Sequence, residues 1–389
     1  MAQAIPLATR ASPSAGGTTH SEVDLSQVLL MARAGWWGGH AQLDAALNGE
    51  GLTMPNGELN TGAYGEGYVD RRHPHTYVHE LMLSGQGAAG PLLVSLGAGR
   101  GFAPFGTDDP MMRPLVKFPI NHHLSQILER GLLVGAARLR GIVLEAATFD
   151  GDEPSSPSSL PRARRFGDSW SVRGTVLPSA ATELQASYAR VASPEQPSGF
   201  GLDQRKQSVS GRYISGNGAR YALAEWAHTV EVDHSRGLDI FAYESALLEG
   251  AARVGVVGVA IRVEQTERPE EDRLLDPFRT PRPPSDLSIN GITRWRVVAA
   301  QLSAPAVTTG MLSGFPFVEV ARLAAAPRDP RQLFTPDRLY GTSRFWMVTA
   351  GVRLRLGDAH ARMGRYGVAM PAGPAIGTML GGAGPVHAH

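Results

Sequence analysis

Cysteine is absent from all 389 residues, so the chain has no disulfide framework and no thiolate metal site. No run of about 18 apolar residues occurs, which excludes a membrane-crossing helix but leaves a membrane-crossing barrel open. Charge of one sign is lacking as well: the net charge is +1, and basic residues are not interleaved with aromatics. Nucleic acid is therefore excluded as a partner. Helical periodicity is scarce, with His123–Arg130 the single short candidate. Met1–His20 has neither the basic start nor the apolar stretch of a secretory signal, and residues 1–21 read as a disordered segment. Within it, Met1-Ala2-Gln3-Ala4 fits the small-residue tail of a signal that begins upstream.

What the chain has in abundance is alternation. In Phe345–Leu356, Trp346, Val348, Ala350, Val352, Leu354 and Leu356 share one face of a strand, and Thr349, Gly351, Arg353 and Arg355 share the other. The same dyad places Trp170, Val172 and Val176 opposite Ser169, Ser171, Arg173 and Thr175. It also places Leu184, Ala186 and Tyr188 opposite Glu183, Gln185 and Ser187. Val209, Gly211 and Tyr213 oppose Ser208, Ser210 and Arg212, and Val259, Ile261 and Val263 oppose Ala260, Arg262 and Glu264. In 294–299, Trp295, Val297 and Ala299 are assigned to the apolar face, with Arg294 and Arg296 behind them. Segments of this kind, separated by turn residues, are what a transmembrane β-barrel requires. A mean hydropathy of −0.14 agrees, since half of each stave faces a polar interior.

The expected fold is all-β: an antiparallel transmembrane β-barrel of about 14–16 strands with inward-folded loops. The barrel is assigned to residues 22–368, with 369–389 a flexible Gly/Ala/Pro-rich tail. Strands are expected near Val23, at 40–48, 75–84, 90–98, 131–139, 141–149, 168–177, 181–190, 206–214 and 219–229. Further ones are expected at 238–248, 253–266, 287–301, 312–323, 344–356 and 360–368, the last two competing as the closing strand. Ser215-Gly216-Asn217-Gly218 is a hairpin signal.

Three polar groups are candidates for chemistry. His73, His75 and His79 are evenly spaced, and Glu80 or a histidine of the His122-His123 pair completes a set. One reading has them pin a constriction by hydrogen bonds; the other has them hold a transition metal in the lumen. The second group is the glycine-rich stretch from Gly97 to Pro110. No helix follows it, so it reads as an inward loop lined by Arg100, Asp108, Asp109 and Arg113, not as a phosphate cradle. The third is a lumen set of Arg212, Arg262, Glu264, Arg294, Arg296, Arg353 and Arg355. It is read either as a ladder of cross-strand salt bridges or as an anion-attracting eyelet. No Gly-x-Ser-x-Gly elbow is present, and the chain is not expected to be an enzyme or to need a cofactor.

Several runs carry a family resemblance. Asp70-Arg71-Arg72-His73-Pro74-His75, Gly101-Phe102-Ala103-Pro104-Phe105-Gly106-Thr107-Asp108-Asp109-Pro110-Met111 and Pro119-Ile120-Asn121-His122-His123 are three of them. Phe149–Pro154 followed by Arg165-Phe166-Gly167-Asp168-Ser169 is a fourth. Over most of residues 40–368 the chain resembles a group of uncharacterised bacterial outer-membrane β-barrel proteins, which are porin-like. The resemblance implies a fold and an outer-membrane location, and brings no substrate, cofactor or catalytic residue. The partners then expected are outer-membrane lipid, the barrel-assembly machinery, and small solutes or ions. The leading functional expectation is a porin-like barrel that passes or binds small polar or ionic solutes. The alternative is an outer-membrane metal-binding protein or enzyme using the lumenal histidines.

Overall fold

The computed structural model describes residues 1–12, 19–54, 59, 61, 76–107, 109–125, 129–154, 156–196, 198–270, 289, 291–333, 335–357 and 362–370. Its strands in chain order are β1 (Ala2–Ser12), β2 (His20–Trp36), β3 (Ala41–Asn48), β4 (Val78–Ala89), β5 (Leu92–Phe102) and β6 (Glu129–Leu139). Then come β7 (Ile142–Phe149), β8 (Ser169–Ser179), β9 (Thr182–Val191), β10 (Asp203–Ile214), β11 (Arg220–Asp233) and β12 (Leu238–Val254). The last five are β13 (Val257–Glu270), β14 (Gly291–Ser303), β15 (Val307–Thr309), β16 (Leu312–Pro327) and β17 (Arg344–Leu356). Each long strand pairs antiparallel with its sequence neighbours, and β1 pairs with both β2 and β17. That last pairing closes the sheet into a barrel of 16 strands, with β15 a three-residue extra that pairs with β16. Closure removes the exposed edges that an open sheet would present.

The two rims differ. Short turns join β4 to β5, β6 to β7, β8 to β9, β10 to β11 and β12 to β13 at one rim. Ser215–Gly218 forms its expected hairpin turn there, with the Gly218 N–H donating to the Ser215 carbonyl at 2.7 Å. Most of the connections at the other rim are long, including 103–128 between β5 and β6. Around the outside, Leu83, Leu96, Leu144, Val176, Leu184, Leu248, Ile261, Val298, Val320 and Leu356 are exposed. On the same strands Ser84, Glu145, Thr175, Glu183, Glu249, Arg262, Gln301, Glu319 and Arg355 are buried. In water such an exterior would be unstable; in hydrocarbon it is the favoured face.

Four expectations need correction. Ala2–Ser12, read as disordered, is strand β1; its inward Gln3, Ile5, Leu7 and Thr9 are buried because the barrel cannot close without it. The helix expected at 123–130 is not seen among the described residues: His122–Leu124 forms a single tight turn, and β6 has already begun at Glu129. Residues 362–368, within the expected strand 360–368, belong to no strand and lie inside the barrel. β17 closes the wall instead.

The fourth correction concerns β14, whose faces are the reverse of the expected ones. Trp295 is fully buried and Arg296 is exposed, so Arg294 and Arg296 are not lumen residues. Trp295 packs against Phe345 and Tyr340, at ring distances of 5.2 and 6.2 Å. Outside, Arg294 pairs with Glu267 at 2.8 Å and Arg296 bonds Gln265 at 3.0 Å. The exterior of β14 is made apolar by Val298, Ala300 and Leu302, one rung further from the long-loop rim. Both faces of this strand carry apolar residues, so alternation alone does not choose between them.

Candidate functional site in the lumen

A wall of sixteen strands encloses a space too wide for its own side chains to fill. Two chain segments enter it. The first is the loop after β5, in which Ala103, Phe105, Met111, Met112, Leu115, Val116, Phe118 and Ile120 are all buried. Asp109 shapes its tight turn by accepting the Met111 N–H at 2.8 Å, with Pro110 following to fix the entry. Met111, Met112 and Phe118 pack with Leu29, Met31 and Phe102.

Charged wall residues hold the loop by its backbone. Glu319 accepts the Val116 and Lys117 N–H groups at 2.8 and 3.3 Å, and Glu264 accepts that of Ile120 at 2.9 Å. Arg262 donates to the carbonyls of Lys117 and Phe118 at 2.9 and 3.1 Å. Arg353 donates to those of Arg113 and Pro114, and Gln301 also reaches Pro114 at 3.3 Å. From β2, Gln27 donates to the Val116 carbonyl at 3.0 Å. A bulge in the β1–β2 register turns both Ser26 and Gln27 inward, with Gln27 at a φ of 49°.

The second segment is Arg362–Met370, which follows the last strand. Arg365 sits between two wall carboxylates, donating to Glu145 at 2.8 Å and to Glu183 at 3.0 Å. It also reaches the Thr175 hydroxyl at 3.1 Å and the Gln185 side-chain oxygen. Arg362 pairs with Glu183 from the other side, and Arg212 of β10 reaches the same carboxylate at 3.0 Å. Arg173 holds Glu145 by two bonds of 2.7 Å and donates to the Gly364 carbonyl at 2.6 Å. Tyr366 donates its hydroxyl to Glu80 at 2.7 Å and accepts the Phe102 N–H at 2.9 Å. The chain then passes Ser95 and reaches Arg138, which donates to the Met370 carbonyl at 3.1 Å near the short-turn rim. Gly101 permits this approach, since a Cβ there would collide with the Tyr366 hydroxyl.

The candidate residues separate by neighbourhood. Arg100 bonds Glu129 at 2.6 Å and the Ser159 carbonyl at 2.7 Å. Arg113 bonds Glu225 at 2.9 Å and Thr107 at 2.7 Å. Arg355 bonds Gln3 at 3.1 Å and lies over the Phe315 ring. Asp108 lies outside the described residues. Arg100, Arg113, Arg212, Arg262, Arg353 and Arg355 thus face carboxylates, carbonyls and amides of the wall and the loop.

Of the histidines, His73 and His75 lie outside the described residues, and so does the side chain of His123. His79 is the extra residue of a bulge where β4 pairs with β3, so it and Glu80 both face inward. Its Nδ1 lies 2.9 Å from Glu129, and its ring meets Phe102 edge-on. His122 is buried with its ring 5.2 Å from that of Phe118. Among the described residues no group of three or more histidines and carboxylates is arranged to hold a metal ion. The metal-binding alternative has no support in this geometry. On the rim, outside the spanning strands, Arg331 holds the Asp329 carboxyl down at about 2 by hydrogen bonds.

Sequence reasoning missed Arg362, Arg365 and Tyr366 as site residues. A usable signal was present: the alternation expected for a stave at 360–368 fails, since Arg365 takes the phase of Met363. That mismatch argues against a stave.

No family model matches the chain, and no curated protein matches its sequence. Among solved structures it is similar to an anion-selective porin from Comamonas acidovorans, with a TM-score of 0.54 and 13% identity over 90% of this chain and 97% of that one. It is also similar to OmpF of Salmonella typhi in a complex with daunomycin, with a TM-score of 0.51 and 8% identity over 91% and 97%. The fold is that of a bacterial porin. In this porin-type barrel the interior holds two chain segments, the loop after β5 and the segment after β17.

Proposed function

We propose that the chain is a porin-like channel of the bacterial outer membrane, serving small polar or ionic solutes. The observation that carries this reading is the pairing of a lipid-suited exterior with a polar interior, entered by the loop after β5, inside one closed wall. The loop after β5 sets the bore, because its backbone is fastened to both Glu319 and Arg262 on the far side of the barrel. Charge selectivity in such a bore follows from the carboxylates and guanidinium groups that remain solvent-facing, as in other charge-lined pores. Arg262 and Arg353 are not among these, since both are bound to loop carbonyls.

Purified protein in planar lipid bilayers tests the reading. Discrete conductance steps are the expected result, enlarged when the filling segments are loosened. A barrel that stays silent in the wild type and in loosened variants alike would overturn transport.

A further inference from the structure

The wall patch that receives Arg362–Met370 has the composition of a ligand site. Four acceptors converge on one guanidinium: Glu145, Glu183, Thr175 and Gln185. All four are buried, and they come from three adjacent strands, β7, β8 and β9. Two more groups read the backbone beside it. Glu80 accepts the Gly364 N–H at 2.7 Å, and Arg173 donates to the Gly364 carbonyl at 2.6 Å. The patch therefore recognises a guanidinium on a short peptide-like stem, by planar charge-assisted bonds of the strong kind.

We infer that this patch is the channel's binding site for small guanidinium-bearing solutes, and that Arg365 is its built-in occupant. With the segment withdrawn, Glu183 loses the guanidinium groups of both Arg362 and Arg365 and keeps that of Arg212, while Glu145 keeps its two bonds from Arg173. A guanidinium solute restores the bridge between Glu145 and Glu183 that Arg365 makes. A lysine ammonium is a poorer replacement, because it lacks the fork that spans Glu145 and Glu183 together.

The segment makes no strand ladder with the wall; it is held by side-chain bonds and by a close approach at Gly367, whose φ is 53° and where a Cβ would meet Ser95. Its last described residue, Met370, lies near the short-turn rim, where its carbonyl accepts from Arg138. A free guanidinium solute arriving in the lumen competes for the same four acceptors.

The inference rests on the channel reading for its physiological meaning, but its test does not. Full-length Arg365→Ala protein, refolded in detergent, is titrated with arginine amide by calorimetry. Saturable binding is expected, at least tenfold tighter than in the wild type, where the site is filled. Adding Glu183→Gln to Arg365→Ala is expected to weaken it at least tenfold, and lysine amide is expected to bind at least tenfold more weakly than arginine amide. Equal binding of both amides, or no binding in Arg365→Ala, would overturn the inference. Should Arg365→Ala fail to refold, Val368→Cys in an otherwise intact chain gives a second reading, since the protein has no native cysteine. Arginine amide is expected to speed maleimide labelling of that buried position at least fivefold, with lysine amide without effect. An unchanged labelling rate counts against the site. Binding without bilayer conductance would sink the channel reading alone, and conductance without binding would sink this inference alone.

Discussion

Arg353 donates from both terminal nitrogens to the carbonyl oxygen of Arg113, at 3.2 and 3.3 Å. A wall arginine thus fixes the backbone of a loop arginine, whose own side chain turns to Glu225 at 2.9 Å. Bonds from a charged donor contribute about 1.5–3 kcal/mol each. Arg353→Ala is expected to lower stability by about that amount, read from heat-modifiable gel migration in urea. It is also expected to enlarge the conductance step. A variant that unfolds at the wild-type urea concentration and conducts alike would show that the loop is held elsewhere.

Glu319 makes the complementary attachment, accepting two loop N–H groups. Glu319→Ala leaves both donors buried without an acceptor, at a cost of about 1–3 kcal/mol for each. Glu319→Gln keeps one acceptor oxygen and should lose less. The order wild type, Gln, Ala in denaturant midpoint is the expected outcome, and any other order argues against backbone anchoring.

The inverted faces of β14 give a sharp contrast between adjacent residues. Trp295→Ala removes a fully buried ring and should cost about 3–5 kcal/mol. Arg296→Leu, on the exposed face, should change stability by less than about 0.5 kcal/mol. A fluorophore on Arg296→Cys is expected to be quenched by brominated lipid, and one on Val297→Cys is not. Quenching at Val297 would restore the opposite facing.

The seam between the first and last strands makes a fourth prediction. Thr9 and Thr349 share a hydrogen bond of 3.0 Å across it, and both are buried. Removing residues 2–12 is expected to abolish the heat-modifiable folded form, because β2 and β17 would each be left with an unpaired edge. A folded band from the shortened chain would mean that the wall can close without β1.

The barrel was legible wherever one face of a strand was purely apolar. Trp170–Val176 and Phe345–Leu356 were assigned correctly because arginine or hydroxyl residues marked their inner faces. β14 was misread because its polar marks, Arg294 and Arg296, lie at its long-loop end, where an outward arginine can reach polar surroundings. β1 was missed for a related reason: Arg10 and Pro6 stand on its outer face, so the dyad is blurred. The loop after β5 was read as inward from its glycines and prolines. What fastens it was not legible, since Glu319 and Arg353 reach it from more than 200 residues away, at separations of 203 and 240. The role of Arg365 was hidden in the same way, its two carboxylates being 220 and 182 positions distant.

The closing pair of strands has a kinetic consequence. Thr9 and Thr349 are 340 positions apart, so this ladder joins the first described strand to the last described one. Loop closure over that distance is slow relative to the formation of neighbouring hairpins. Until the β1–β17 ladder forms, β1 has one edge paired with β2 and one edge free, and the free edges of β1 and β17 can pair with other chains. The β1–β17 ladder is thus the pairing of greatest sequence separation in the wall, and the one whose formation turns an edged sheet into an edgeless one.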